Sequence, residues 1–278
     1  MTSRPSGEQF LRTFHDRDPG KQSVSIREVL TPDGRTAYEA FADRVGDADR
    51  VLDLGWADGE LLSVFADRGA QRLAGIDLSV NELAFARRRP ELQHADLRVG
   101  RAQELPWEDE SFDAVVSHMA FMLMSEPEQV AVESARVLMP GGRFAIAAGS
   151  GGAEGSAALE VFRSLALPLF RTARGQGLLP RFGDQRSRTR EGLDEILGPV
   201  GFAPVTWERI TIRHRSTPLA VWQDNAETFY ELSVVPKDEV AELRERFLAE
   251  VEPFAVDGLV PWAMGINVAA TRLVGGGA

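Results

Sequence analysis

Val51-Leu52-Asp53-Leu54-Gly55-Trp56-Ala57-Asp58-Gly59 is the stretch that decides the fold. An apolar run ends in a glycine-containing turn, and Leu61, Leu62, Phe65 and Ala66 follow at helical spacing. Buried strand, glycine turn and helix in that order make the unit by which a doubly wound α/β domain holds a nucleotide-like ligand. The carboxylate of Asp53 narrows the ligand class. An acid at the strand tip repels a pyrophosphate and attracts a group carrying an ammonium or a sulfonium charge.

Working outward, the pattern repeats. Residues 6–17 and 36–46 read as two short helices, with Asp33-Gly34 as a turn between them. The first strand is Arg50 to Gly55 and its helix runs from about Asp58 to Gly69. Arg72 to Leu78 is a second strand, after which Ser79 and Glu82 form a capping-box pattern. Leu97 to Ala102 and Phe112 to Ser117 are further strands, and the Ala114-Val115-Val116 run suits burial on both faces. Glu126 to Leu138 is a helix stopped by Pro140-Gly141-Gly142, and Phe144 to Ala148 is a fifth strand. Alternation of this kind predicts a parallel sheet with right-handed crossovers.

After residue 150 the rhythm changes. Gly149 to Gly155 reads as a glycine-rich linker, and Ala157 to Arg174 as a long helix containing Pro168. Thr189 to Leu197, Ala226 to Leu232 and Lys237 to Glu252 are predicted helices. Thr206 to Arg213 and Asn267 to Leu273 are predicted strands. The expected organisation is a helical lid over 1–46, a ligand-binding core over 47–150, and a helical cap that also completes the sheet over 151–278, all in one globular unit.

The chain has 278 residues, no cysteine and a net charge of −11. Disulfides and thiolate metal sites are therefore impossible, and a nucleic-acid backbone is repelled overall. The residues His15, His94, His118 and His214 lack metal-ligand spacing, so no metal is expected. No stretch approaches the ~20 apolar residues of a membrane helix, and Met1 to Gly20 has no apolar signal-peptide core. The expected compartment is the cytoplasm, and the expected state a monomer or homodimer without a membrane partner.

Taken together, these motifs resemble the class I S-adenosylmethionine-dependent methyltransferases of the small-molecule, natural-product type. The resemblance covers about residues 48–150. It rests on Val51 to Gly59, Gly75-Ile76-Asp77, the Ala102-Gln103-Glu104-Leu105-Pro106-Trp107 and Ser111-Phe112-Asp113-Ala114-Val115-Val116-Ser117 stretches, and Arg136-Val137-Leu138-Met139-Pro140-Gly141-Gly142, in that order. It implies a Rossmann-like, mainly parallel seven-stranded sheet whose last strand is antiparallel, with S-adenosyl-L-methionine as cofactor and a small-molecule acceptor. Two positions depart from the family pattern. Ala57 replaces the middle glycine of the turn, which is tolerable if its φ is negative. Arg101 stands where the family often has an acid for the adenine amino group, and arginine cannot accept a hydrogen bond. Adenine binding then falls to the Ala102 N–H, the Gln103 side chain and apolar walls.

The resemblance also assigns residues. Asp53 faces the cofactor's amino group or orders the turn, Gly55 and Gly59 admit close approach, and Trp56 packs on the methionine part or the helix end. Asp77 accepts from the ribose hydroxyls and Leu78 lies along the adenine. Ser117 and His118 follow the fourth strand, where the transferable methyl belongs. His118 is a candidate general base, with cofactor orientation or space filling as alternatives. Phe14 and His15 belong to a segment resembling a lid. Met119, Met122 and Met124 line core or pocket, Arg181, Arg186 and Arg188 suit an anionic substrate group, and Trp222, Asp224 and Tyr230 are placed by position alone on a substrate wall. Two rivals stand beside methyl transfer to oxygen or nitrogen. One is a protein on the same fold that binds the cofactor without transferring methyl. The other is a nicotinamide-dependent oxidoreductase, whose Gly-x-Gly-x-x-Gly pattern fails at Ala57 and Glu60.

Overall fold

The computed structural model describes residues 6–20 and 29–274. Its core is a seven-stranded sheet in the order β3-β2-β1-β4-β5-β7-β6. These strands are β1 (Arg50–Leu54), β2 (Arg72–Asp77), β3 (Asp96–Val99), β4 (Phe112–His118), β5 (Leu138–Gly152), β6 (Thr206–Ser216) and β7 (Val260–Arg272). The first five pair in parallel, whereas β7 runs antiparallel to both β5 and β6. The parallel strands are those that the alternation of apolar runs predicts, and the seven-stranded Rossmann-like sheet with an antiparallel last strand is what the resemblance implied.

The central strands are mostly apolar because helices cover both faces. Val51, Ala114, Val116, Ala145 and Ala147 belong to one core, while Leu52, Leu54, Val115, Phe144 and Ile146 belong to the other. Alternate residues thus serve opposite layers, as strand geometry requires. The covering helices are α1 (Gly7–Arg17), α2 (Ala37–Ala42), α3 (Glu60–Asp67), α4 (Val80–Ala86), α5 (Pro127–Val137), α6 (Ala157–Gly175), α7 (Arg190–Leu197), α8 (Pro218–Thr228) and α9 (Lys237–Val251).

Polar side chains tie down the starts of the central strands and a connecting loop. The Asp113 carboxylate accepts from the Asp49 and Arg50 N–H groups at 3.1 Å, tying β4 to the start of β1. The Arg136 guanidinium donates to the Leu105 and Trp107 carbonyls at 2.8 Å, which secures the loop after β3.

Several local expectations need correction. Gly149 to Gly152 continue β5 rather than forming a linker, because β7 supplies partners as far as Gly152. Pro140-Gly141-Gly142 does not end an element. It bulges within β5, between the Leu138 and Arg143 pairings with β4. The helix expected from Ala226 begins instead at Pro218, where Thr217 accepts from the Ala220 N–H. A threonine cap with proline at the first helical position is a start signal that the sequence carries and the periodicity hides. The Ser79 hydroxyl does cap α4, accepting from the Glu82 N–H at 3.1 Å, but the Glu82 side chain does not complete a capping box. It turns to the N-terminal segment.

Candidate functional site

A cleft opens beside the C-terminal ends of β1, β2 and β4, where open α/β sheets hold their ligands. Gly55, Ala57, Ile76, Asp77 and Leu78 form one wall. Gly100 to Gln103 form one end, and His118 to Ala120 with Leu123 and Met124 form the opposite wall. Glu8, Leu11, Arg12 and His15 of α1 cover it.

The turn after β1 is held by its neighbour. Asp77 Oδ2 accepts from the Ala57 N–H at 3.1 Å, and Oδ1 accepts from the Ser79 N–H at 2.9 Å. One lone pair on each oxygen remains to accept from a ligand diol. Gly55 has φ of +76°, and a Cβ there would meet Ala120 Cβ at 2.4 Å. Only glycine fits that approach. Ala57 does not meet the condition of a negative φ under which an alanine would be readily tolerated here. It sits at +47°, a left-handed conformation costing an L-residue about 1–2 kcal/mol, and the Asp77 hydrogen bond helps to hold it there.

Asp53 lies behind this turn, almost wholly buried, and its Oδ1 has no hydrogen-bond partner among the described residues. Burial, and secondarily the nearby Asp77 carboxylate, push its carboxyl well above the ordinary range. An orphaned acid next to a second acid fits a cationic ligand, which would relieve the repulsion between them. On this test, the residues present suit a sulfonium-bearing nucleoside with an ammonium group.

The lid is a helical stripe. Glu8, Leu11, Arg12 and His15 fall at the spacing that places side chains on one face. Both ends are fastened. At one end, Glu8 pairs with Arg101 at 2.9 Å. At the other, His15 Nδ1 lies 3.0 Å from Glu82 Oε1, and Glu82 Oε2 accepts from the Gly20 N–H at 2.9 Å. Asp16 Oδ1 accepts from the Ser79 hydroxyl at 2.6 Å. Burial depresses the His15 pKa, but the Glu82 hydrogen bond and the charges of Asp77, Glu82 and Asp16 outweigh it and leave the imidazole above its ordinary value.

His118 is half-buried, yet its Nε2 atom is enclosed and has no partner among the described residues. The rings of Tyr38 and Phe41 pack at 4.6 and 5.3 Å. Burial lowers its pKa to about 4, so the imidazole is neutral at pH 7. Met119 follows with φ of +60°, strain of the kind that collects at ligand sites.

The cleft brings together Gly55, Asp77, Leu78, Ala102, Gln103, His15, His118 and Met119 from the residues singled out in the sequence. Others lie elsewhere. Trp56 turns into the core, where a Cβ on Gly75 would meet its ring at 2.5 Å. Gly59 starts α3 and packs beside Leu92. The buried Ser117 hydroxyl donates to the Leu54 carbonyl at 2.8 Å and accepts from the Phe121 N–H at 3.0 Å, so it braces the strand ends. Phe14 and Tyr230 pack on each other, and Tyr230 also packs on Phe182, on the flank of α1 away from the cavity lining. Met122 is buried, with its sulfur beside the Arg188 guanidinium at 3.1 Å. Trp222 packs between Phe162 and Phe247. Arg181 is exposed and lines no part of the cleft, and Arg186 pairs with Asp184 and Glu128. Sequence reasoning missed Glu8, Leu11, Arg12 and Tyr38. The 8-11-12-15 spacing was the available signal for the first three. Among the described residues no group of three or more His, Cys, Asp or Glu is placed to hold a metal ion, and no helix is long and apolar enough to cross a membrane.

Residues 52–146 match the family model described as a methyltransferase domain. Methyltransferase GfsG of Streptomyces halstedii is 33% identical over 126 residues, covering 43% of this chain and 45% of that protein. A demethylmenaquinone methyltransferase of Renibacterium salmoninarum is 36% identical over 150 residues, covering 53% and 60%. A phosphatidylethanolamine N-methyltransferase of Cereibacter sphaeroides is 39% identical over 137 residues, covering 48% and 62%. Among solved structures, the [4+2]-cyclase SpnF superposes with a TM-score of 0.59 at 20% identity, covering 98% of both chains. The phosphoethanolamine N-methyltransferase 2 of Haemonchus contortus, solved with S-adenosyl-L-methionine, gives 0.56 at 21% identity, covering 95% of this chain and 60% of that one. The matched segment is about a third of the chain and is described as a methyltransferase domain, and the seven-stranded sheet is the fold shared with these solved structures. The chain spans 45% to 62% of the length of these curated relatives.

Proposed function

We propose that the protein binds S-adenosyl-L-methionine in the cleft and transfers its methyl group to an oxygen or nitrogen of a small molecule, as a tailoring step on a secondary metabolite. The observation that carries this reading is the paired acids at the ends of β1 and β2. Asp77 is oriented by two backbone N–H groups with lone pairs to spare, and Asp53 is buried with an unsatisfied oxygen.

The bound cofactor would supply an electrophilic methyl on a positively charged sulfur. The chain's own residues bind and align. Asp77 accepts from the ribose hydroxyls, and a cationic ligand favours the ionised form of Asp53 behind the turn, against the burial that raises its pKa. Gly55 permits close backbone approach, while Ile76, Leu78, Ala102 and Met124 provide apolar walls. The α1 lid excludes water, which raises the reactivity of a neutral nucleophile. His118, Met119 and Tyr38 line the wall after β4, where we place the acceptor. We read residues 1–46 as the lid, 47–150 as the cofactor-binding core and 151–278 as the cap that completes the sheet.

His118 also supports a second reading. A pKa near 4 makes it a weak proton acceptor, which suits an acceptor that needs no deprotonation, or a protein that binds the cofactor without methyl transfer. Incubation with methyl-labelled S-adenosyl-L-methionine and a metabolite extract separates the readings. The first expects a product heavier by one labelled methyl group. Tight S-adenosylhomocysteine binding with no such product favours the second, and no binding contradicts both.

A further inference from the structure

The end of the cleft bounded by Gly100 to Gln103 combines flat apolar walls with a polar edge. Ile76, Leu78, Ala102 and Met124 supply the walls, while Glu8, Arg101 and Gln103 supply the edge. Arg101 can only donate hydrogen bonds. Gln103 commits its Nε2 to the Ser125 carbonyl at 2.6 Å. Glu8, from the lid, brings a carboxylate to that edge. Its Oε1 accepts from the Ser125 hydroxyl, from Arg101 Nη2 at 2.9 Å and from Gln103 Nε2 at 3.3 Å. Among the described residues its Oε2 accepts only from Arg101 Nε, at 2.9 Å. A carboxylate offers about two lone-pair sites on each oxygen, so Oε2 retains one.

We infer that Glu8 is the base-reading residue of this cleft, accepting a hydrogen bond from the exocyclic amino group of the adenine. The inference rests on the proposed cofactor site and adds a residue from the covering helix to it. Burial pushes the Glu8 carboxyl up, but Arg101, Ser125 and Gln103 together hold it below its ordinary value. It is therefore an ionised, acceptor-only group at neutral pH. An amino group opposite Oε2 supplies the missing donor. A carbonyl oxygen at the same position sets acceptor against acceptor, with no proton between them. Because α1 carries Glu8 and Arg101 grips it, the base is read by the helix that closes the site.

Calorimetry on the full chain with S-adenosylhomocysteine and its deaminated counterpart, S-inosylhomocysteine, tests this. The wild type should prefer the amino ligand by about tenfold or more, since a site built for a donor rejects its absence strongly. Glu8→Gln should shrink the preference to within about threefold, because an amide both donates and accepts. Arg101→Gln weakens the grip on α1 but leaves the acceptor, so both ligands should weaken while their ratio persists. Equal binding of the two ligands by the wild type overturns the assignment, as does an unchanged ratio in Glu8→Gln. A ratio lost in Arg101→Gln but kept in Glu8→Gln also overturns it. In all three cases S-adenosylhomocysteine still binds and the cofactor reading stands. Failure of the wild type to bind S-adenosylhomocysteine removes both.

Discussion

The two sides of the cleft are built differently. The wall from β1 and β2 is backbone: a left-handed glycine turn, strand ends in fixed register and a carboxylate pinned by N–H groups. The lid is held by side chains: Glu8 on Arg101, His15 on Glu82 and Asp16 on Ser79. Backbone geometry tolerates little change, whereas partly exposed ion pairs contribute modestly and yield to pH and salt. On the proposed reading the wall sets what can bind, and the covering helix sets how firmly it is enclosed.

The largest expected effect lies in the wall. Gly55→Val adds a branched side chain where a single Cβ already meets Ala120, at a positive φ. Overpacking and left-handed strain together should cost about 2–5 kcal/mol in urea denaturation and remove ligand binding. A variant as stable as the wild type would show that the turn is less constrained than its geometry implies.

Next come the two histidines, one on each side, with opposite signs. His118 has its pKa lowered by burial to about 4 from an ordinary 6.5. The unfolded chain takes up that proton first, so stability should fall as pH drops from 6.5 toward 4. The loss is on the order of 1–3 kcal/mol for a partly exposed ring. His118→Gln should flatten this slope in pH-dependent denaturation. His15 is raised above 6.5. Its contribution is complete below 6.5 and is lost as pH rises through its raised pKa. Hydrogen exchange should therefore find α1 less protected at pH 9 than at pH 6, by about 1 kcal/mol or less. His15→Gln should abolish that difference, and a persistent difference would place the lid's pH sensitivity elsewhere. The smallest effect belongs to Arg181→Ala. An exposed side chain outside the cleft should change stability by less than about 0.5 kcal/mol and leave ligand affinity unchanged.

The same division explains what could be read in the sequence. Glycine turns, buried β-runs and acids at strand ends are local signals, so the sheet, Gly55 and Asp77 were legible. Trp56 was misassigned because its neighbours in sequence do not reveal the space above Gly75 that its ring fills. Ser117 was misassigned for a similar reason: its partners, Leu54 and Phe121, are set by strand pairing and the following turn. Trp222 and Tyr230 follow a strand but belong to aromatic packing clusters. Glu8 escaped notice and Glu82 was read only as half of a capping box, because their partners lie 93 and 67 residues away. Only the tertiary fold brings them together.

The most direct test of the paired-acid account is calorimetric titration of S-adenosylhomocysteine into the wild type and Asp77→Ala. The account expects saturable one-site binding by the wild type, weakened in the variant by about 1–3 kcal/mol. No binding by the wild type, or equal affinity in both chains, would contradict it.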